Sequence, residues 1–396
     1  MRIALIADTF PPLRSSGAVQ LRDLSREFVA QGHILYVLLP SHGQVQSWLL
    51  DEFFGVKVLR LKAPKTRDVG YVRRALAEFY MPISMLRNLL KSPLAKESWE
   101  GLIWYSPSIF FGPLVNYLKK RSNCKSYLIV RDIFPQWAVD MGLMRRGFTY
   151  RFLDFVARYQ YSVADIIGIQ TQGNGKYFKR WLRRPGRRLE VLRNWLGKPA
   201  GTKCSLDLDK TILRGRKILV YAGNMGVAQG MDVVLDLAEG MRSRKEVGFL
   251  LVGRGSEVAR LKAAAQASQL DNVLFFDEIG PDEIPDLYSQ CSAGILALDP
   301  RHKSHNIPGK FITYMQSGLP VLARVNPGND LIKLVKEEAV GQVCETSHSS
   351  DLLKLSEKLL NQIEIDRDLP LRCKALFERD FLVKDTVRQI VAALSR

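Results

Sequence analysis

Ile218-Leu-Val-Tyr-Ala-Gly-Asn-Met-Gly-Val-Ala-Gln-Gly-Met231 decides how this chain folds. Its first five residues are apolar or aromatic without interruption, the pattern of a strand buried on both faces of a parallel sheet. Gly223 and Gly226 then bracket a tight loop, Gln229-Gly230 makes a turn, and residues 231–241 carry apolar groups at helical spacing. Strand, glycine-rich loop and helix in that order bring backbone amides and a helix N-terminus to the carboxyl end of a strand. An anionic phosphate can be held there.

The alternation continues outward from this stretch. Strands are expected at 249–252, 273–276, 294–298 and 321–323, with helices at 257–268, 283–290 and 310–316 between them. The first half repeats the pattern. A strand at 2–7 ends at Asp8, a loop holds Pro11, Pro12, Ser15, Ser16 and Gly17, and a helix at 19–31 leads to a strand at 34–39. Further strands read at 101–105, 126–130 and 166–170. The 396 residues exceed one ordinary core and suit two α/β domains. The expected division is 1–198, a Gly/Pro-rich linker at 199–216, a second domain at 217–378, and an amphipathic tail at 379–396 that packs back toward the first domain. Two facing, doubly wound, Rossmann-like domains with a cleft between them are the expected architecture.

Composition narrows the function classes. The chain is 46% hydrophobic with a mean hydropathy of −0.07 and has no low-complexity tract. Its first residues hold too short an apolar run for a secretory signal, and no apolar stretch approaches the ~20 residues that span a bilayer. A cytoplasmic protein is expected. Five scattered cysteines form no CxxC pair and the histidines no ligand spacing, so neither disulfides nor a metal site is expected. Net charge is +18, and all of the excess lies in the first half: residues 1–200 carry 32 Lys and Arg against 14 Asp and Glu, and the remainder carries 26 against 26. Charge confined to one domain points that domain at an anionic surface. Nucleic acid would explain the charge, but the chain shows no helix-turn-helix, RRM or zinc pattern and has a neutral second half with phosphate-type loops. No nucleic-acid partner is expected.

Two more loops join the first in the second half. Val252-Gly253-Arg254-Gly255 follows a strand and puts a cation at the same sheet edge. His305-Asn-Ile-Pro308-Gly309-Lys310 opens the helix at 310–316, which stops at Gly318. A lysine in a first helical turn opposes the macrodipole at a cost of ~0.3–1 kcal/mol. An anion bound at that helix start explains its presence; the bland alternative is a solvated lysine.

The ordered set of motifs resembles a known family. Tyr221-Ala-Gly-Asn-Met-Gly-Val-Ala-Gln-Gly-Met231, Leu251-Val-Gly-Arg-Gly255, Asn272-Val-Leu-Phe-Phe276 and Pro308-Gly-Lys-Phe-Ile-Thr-Tyr-Met-Gln-Ser-Gly-Leu-Pro-Val-Leu322 look like the donor domain of retaining GT-B glycosyltransferases of family 4. Asp8-Thr-Phe-Pro-Pro12, Gly17 and Arg131-Asp-Ile-Phe-Pro135 resemble the bacterial branch that builds O-antigen and other surface polysaccharides, which includes transferases of acetylated fucosamine. The resemblance implies a nucleotide-sugar donor, UDP-linked by default, held by the second domain. It also implies an acceptor held by the first, retention of configuration, and no metal or cofactor. Cations and amides must then stabilise the departing diphosphate. Arg254 and Lys310 are the candidates, with Gly223, Asn224, Gly226, Gln229, Gly253, Pro308 and Gly309 lining the donor and Ser16 and Gly17 approaching it from the first domain.

The chain departs from the family at three places. His305 and Thr313 stand where many members carry two glutamates eight residues apart, the second on the ribose. Asn224 and Gln229 replace a basic pair, which shifts the phosphate load to Arg254 and Lys310. Arg131-Asp132 replaces a His-Asp pair, leaving Asp132 as the polar catalytic candidate, able to accept or orient the acceptor hydroxyl; its bland readings are a helix cap or a partner for Arg131. Residues 67–91 and 176–193 interleave cations with aromatic and aliphatic groups, as interfacial segments do. They suit a peripheral enzyme on the inner face of the plasma membrane, with a lipid-linked (polyprenyl-diphosphate) sugar or a polysaccharide as acceptor. A sugar-nucleotide epimerase of GT-B fold is the alternative enzyme, and it has no need of a membrane.

Overall fold

The computed structural model describes all of the chain except residues 67, 68, 300, 302, 304, 305, 347, 348 and 396 and the side chains of 71, 72, 228 and 349. The chain forms two compact units, Met1–Gly197 with Val383–Arg396, and Lys198–Leu382.

The first unit is built on eight strands: β1 (Arg2–Ile6), β2 (Ile34–Ser41), β3 (Trp48–Phe53), β4 (Val56–Lys62), β5 (Gly101–Tyr105), β6 (Lys125–Val130), β7 (Ile166–Ile169) and β8 (Arg188–Val191). Their order is β3-β4-β2-β1-β5-β6-β7-β8, with every pairing parallel except the β3–β4 hairpin. Period-two alternation sorts the side chains of β1 between two cores. Ala4 and Ile6 join Met81, Met85 and Leu114 on one face, where helices α2 (Tyr71–Leu89), α3 (Gly112–Ser122) and α5 (Phe148–Val163) pack; the short α4 (Gln136–Asp140) and α6 (Lys179–Leu182) lie in the connections. Ile3 and Leu5 join Leu21, Leu24 and Phe28 of α1 (Ser16–Ala30) on the other face.

The second unit has six strands, all parallel: β9 (Lys217–Ala222), β10 (Val247–Val252), β11 (Val273–Phe276), β12 (Ala293–Ala297), β13 (Val321–Arg324) and β14 (Gly341–Cys344), in the order β11-β10-β9-β12-β13-β14. The order reverses beside β9, which makes the end of β9 the switch point where such sheets bind ligands. Helices α7 (Asp232–Gly240), α8 (Val258–Ala267), α9 (Ile284–Ser289), α10 (Gly309–Ser317), α11 (Asp330–Glu337), α12 (Ser349–Ile365) and α13 (Leu369–Asp380) complete the unit. The final helix, α14 (Val383–Ser395), buries Val387 and Ile390 in the α1 core of the first unit.

Several expectations change at this level. The segment read as a linker is packed rather than free: Leu208 and Leu213 are buried, and the backbone amides of Cys204 and Ser205 bond Asp286 and Glu283. Helix α1 starts at Ser16, so Ser16 and Gly17 stand in its first turn and not on a loop. Ser15 is the true cap, its hydroxyl accepting from the amide of Ala18 at 3.3 Å. Residues 176–193 are no interfacial helix. Phe178 and Trp181 are buried in the core, β8 supplies 188–191, and Arg187 is spent on the Ala164 carbonyl and on Asp165. Among the described residues no helix is long and apolar enough to cross a membrane, and no three His, Cys, Asp or Glu side chains gather as a metal site would need.

Candidate functional site

In the second unit, the loops after β9 and β10 run side by side beyond their strands. Gly223 donates to Val252 O at 2.8 Å, and Met225 donates to Arg254 O at 2.7 Å. Only glycine permits this approach: a Cβ on Gly253 would stand 2.1 Å from Gly223 O, and one on Gly255 would stand 2.2 Å from Met225 O. Both have positive φ, +143° and +150°, as does Gly223 at +139°.

Lys310 closes on this pair of loops. It is the second residue of α10, whose N-cap is Pro308 in extended conformation followed by Gly309. Its Nζ lies 4.6 Å from the centre of the Tyr221 ring, and a Cβ on Gly223 would meet Lys310 Cε at 2.7 Å and Nζ at 2.9 Å. The ammonium therefore rests over the end of β9, held by a ring face and a bare backbone. Tyr314, one turn on, fixes the helix that carries it. Its ring fills the space above Gly294, and its buried hydroxyl reaches the carbonyls of Val220 at 3.2 Å and Ile295 at 2.9 Å. Burial pushes that phenol well above its ordinary pKa, so it remains a donor.

The other donor-side candidates are already engaged. Gln229 Oε1 accepts from the amide of Gly226 at 2.9 Å and from Asn224 Nδ2 at 3.3 Å, so Asn224, Gly226 and Gln229 form one self-capped turn. The Thr313 hydroxyl donates to Gly309 O at 3.2 Å within its own helix. The Arg254 side chain, 67% exposed, pairs with Glu278 at 3.2 Å. Glu278, just past β11, and Arg324 at the end of β13, bonded to Gly230 O at 3.1 Å, are neighbours of the site that sequence reasoning passed over. A charged residue within two positions of the end of an apolar strand run is the signal that would have found both. His305 lies outside the described residues.

The first unit gathers its polar groups at the carboxyl ends of β1, β5 and β6. Asp132 and Asp8 are half-buried there, and Tyr105 is buried between them with its hydroxyl donating to Gln20 Oε1 at 3.0 Å. The Tyr105 pKa is raised chiefly by burial, lowered by Arg131, and raised by the carboxylates of Asp132 and Asp8. Gly17 packs against this phenol: a Cβ there would stand 3.4 Å from its oxygen.

Arg131 is the unexpected member. It is only 5% exposed, and its guanidinium makes no close hydrogen bond among the described residues, its polar neighbours being the Tyr105 hydroxyl and the Asp132 carboxylate. It is sandwiched by aromatic faces instead, 4.3 Å from the Trp195 ring and 5.6 Å from that of Tyr105. Burial lowers its pKa, yet an arginine starts so high that it stays charged. Beside this cluster a cavity of about 210 Å³ opens between Asp8, Phe10, Leu13, Pro40, His42 and Arg60.

Known proteins share this organisation. Residues 216–362 match the family model described as glycosyl transferases group 1. The probable glycosyltransferase WbjE of Pseudomonas aeruginosa is 22% identical over 305 residues, covering 75% of this chain and 74% of WbjE. The putative colanic acid biosynthesis glycosyl transferase WcaI of Escherichia coli K12 is 23% identical over 266 residues, covering 64% of this chain and 62% of WcaI, less than two thirds of that relative's length. Among solved structures, Anabaena Alr3699/HepE in complex with UDP and glucose superposes with a TM-score of 0.71 at 14% identity, over 99% of each chain. Those matches do not single out the acetylated-fucosamine branch. With a group 1 glycosyl transferase domain at 216–362 and two Rossmann-like α/β units, the chain is a glycosyltransferase of GT-B fold.

Proposed function

We propose that this enzyme transfers an N-acetylated amino sugar from a UDP-linked donor to a polyprenyl-diphosphate-linked sugar acceptor, with retention of configuration, in the assembly of a bacterial surface polysaccharide. The observation that carries the reading is the seat of Lys310. A cation held over bare backbone at the β9 switch point, beside two glycine loops and at the start of α10, is the chemistry a departing nucleoside diphosphate requires. HepE was solved with UDP and glucose, and WcaI is named for colanic acid synthesis, which supports the donor and pathway classes.

In this scheme Lys310 neutralises the diphosphate as the glycosidic bond breaks. Arg254 joins it by exchanging Glu278 for phosphate, and the positive end of helix α10 completes the cradle. Neither metal nor cofactor is called on. The first unit presents the acceptor, with the apolar walls of the 210 Å³ cavity receiving a sugar face and Asp132 orienting the attacking hydroxyl. With retention, the departing phosphate itself takes the hydroxyl proton. The enzyme works peripherally at the cytoplasmic membrane surface, where its acceptor resides.

Calorimetric titration of UDP, GDP and UDP-amino sugars tests the donor half. UDP is expected to bind, with affinity falling roughly 10–100-fold in Lys310→Ala, the scale of one charge-assisted contact, and several-fold in Arg254→Ala. Binding unaffected by Lys310→Ala would remove the diphosphate from this site.

A further inference from the structure

The first unit carries an apolar ridge that folding does not use. α5 exposes Phe148, Phe152 and Phe155, at steps of four and three residues, so they line one stripe of the helix, which ends at Tyr159 packed against Gly112 of α3. α2 exposes Leu76, Phe79, Tyr80 and Ile83 in the same manner. The Phe79 and Phe152 rings lie 6.5 Å apart, which joins the two stripes. Four of the five phenylalanines largely exposed among the described residues are here, with Phe148 at 87% and Phe155 at 69%. The core sides of both helices are separately filled, α2 by Ala77, Met81, Met85 and Leu89 and α5 by Ala157 and Val163. The ridge is therefore surplus to the fold, and joined exposed apolar stripes of this kind mark an interaction surface.

Its surroundings say what covers it. Arg73, Arg87, Arg145, Arg146 and Arg151 are exposed on or beside the two helices. The nearby carboxylates are already engaged, Glu78 by Arg74 at 2.8 Å and Asp154 by Arg158 at 2.6 Å. A second copy would bring arginines against arginines, which disfavours self-association through this face. Phenylalanine rings flanked by guanidinium groups instead match the boundary between acyl chains and anionic headgroups.

We infer that α2 and α5 together form the docking face for an anionic lipid surface. The inference rests on the lipid-linked acceptor proposed above and replaces one of the two segments the sequence suggested: α5 takes the place of 176–193, whose aromatic residues are core. It also gives part of the positive charge of the first unit a location. The phenylalanines enter the interface while the arginines meet lipid phosphate, and binding needs both.

Co-sedimentation with vesicles tests it. The full chain is expected to bind phosphatidylglycerol vesicles at least about 10-fold more tightly than phosphatidylcholine vesicles, with affinity falling as salt rises. The double variant Phe148→Ser with Phe155→Ser should lose about 10-fold or more, and Arg151→Gln a few-fold with a shallower salt dependence. Phe54→Ser, exposed but outside the ridge, should change nothing. Undiminished vesicle binding by the double variant, or no binding by the parent, overturns the inference. So does light scattering that shows the double variant dissociating a dimer, since the ridge would then join copies of the chain. UDP titration on the same samples keeps the readings apart: lost vesicle binding with intact UDP binding speaks only to this surface, and the reverse speaks only to the donor site.

Discussion

The two sheets of this protein build polar sites at their carboxyl edges by opposite means. At the end of β9 and β10 the site is made of space: glycines let two loops and a lysine approach one another, and no charge is fully buried. At the end of β5 and β6 it is made of buried charge: an arginine is held between the aromatic rings of Trp195 and Tyr105. The first device depends on the absence of side-chain atoms, so any added atom damages it. The second depends on a side chain that costs stability, so removing it should help the fold while harming the site.

The sharpest way to break that contrast is to add one methyl group to each edge. Gly253→Ala places a Cβ at 2.1 Å from Gly223 O and in a backbone conformation that L side chains rarely adopt. The clash and the strain together are expected to cost at least about 3 kcal/mol, which for a unit of this size lowers the melting temperature by roughly 6–12 °C. Gly17→Ala meets nothing closer than Thr9 Cγ2 at 3.3 Å and the Tyr105 hydroxyl at 3.4 Å from within helix α1. It should stay within about 1 kcal/mol, because alanine favours a helix by a comparable amount. Equal melting temperatures in the two variants would dissolve the distinction.

The buried charge is tested by Arg131→Met, which keeps much of the side-chain volume and removes the cation. Exchanging buried ions for apolar groups is often neutral or stabilising, by about 1–4 kcal/mol. A higher melting temperature with transferase activity reduced at least 10-fold is therefore expected. A melting temperature several degrees lower would mean that the aromatic sandwich stabilises the fold and that the site has no share in keeping Arg131.

How much of this could be read in the sequence follows the same division. Strands buried on both faces, such as β1, β5, β9 and β10, are uninterrupted apolar runs and were placed within a residue or two. The edge hairpin β3–β4 was missed because Trp48–Phe53 mixes exposed Leu49 and Leu50 with Asp51 and Glu52 and never alternates cleanly. β8 was hidden inside a run of arginines, since pairing with β7 and not composition makes it a strand. Glycine loops announce themselves because their conformational freedom is a property of residue type. What a long polar side chain does depends on neighbours distant in sequence: Arg254 turns to Glu278, Asn224 and Gln229 turn to each other, and Arg131 is buried by Trp195, far along the chain.

The pairing of Arg254 with Glu278 yields the smallest and most discriminating prediction. Two thirds of the Arg254 side chain is exposed, so the 3.2 Å ion pair is screened by water and contributes little to the fold. It does set the resting position of a cation at the phosphate edge. If Arg254 must leave Glu278 to meet a diphosphate, Glu278→Gln removes a competitor and should tighten UDP binding about 2–5-fold at low salt, with the gain fading as ionic strength rises. The melting temperature should move by no more than about 1–2 °C, on the scale of a surface pair. If Glu278 instead holds Arg254 in its binding position, the same variant weakens UDP to the level of Arg254→Ala. The direction of the change in affinity therefore separates a competing carboxylate from a supporting one, and shows whether this edge, like the lysine over Gly223, is poised for phosphate before the donor arrives.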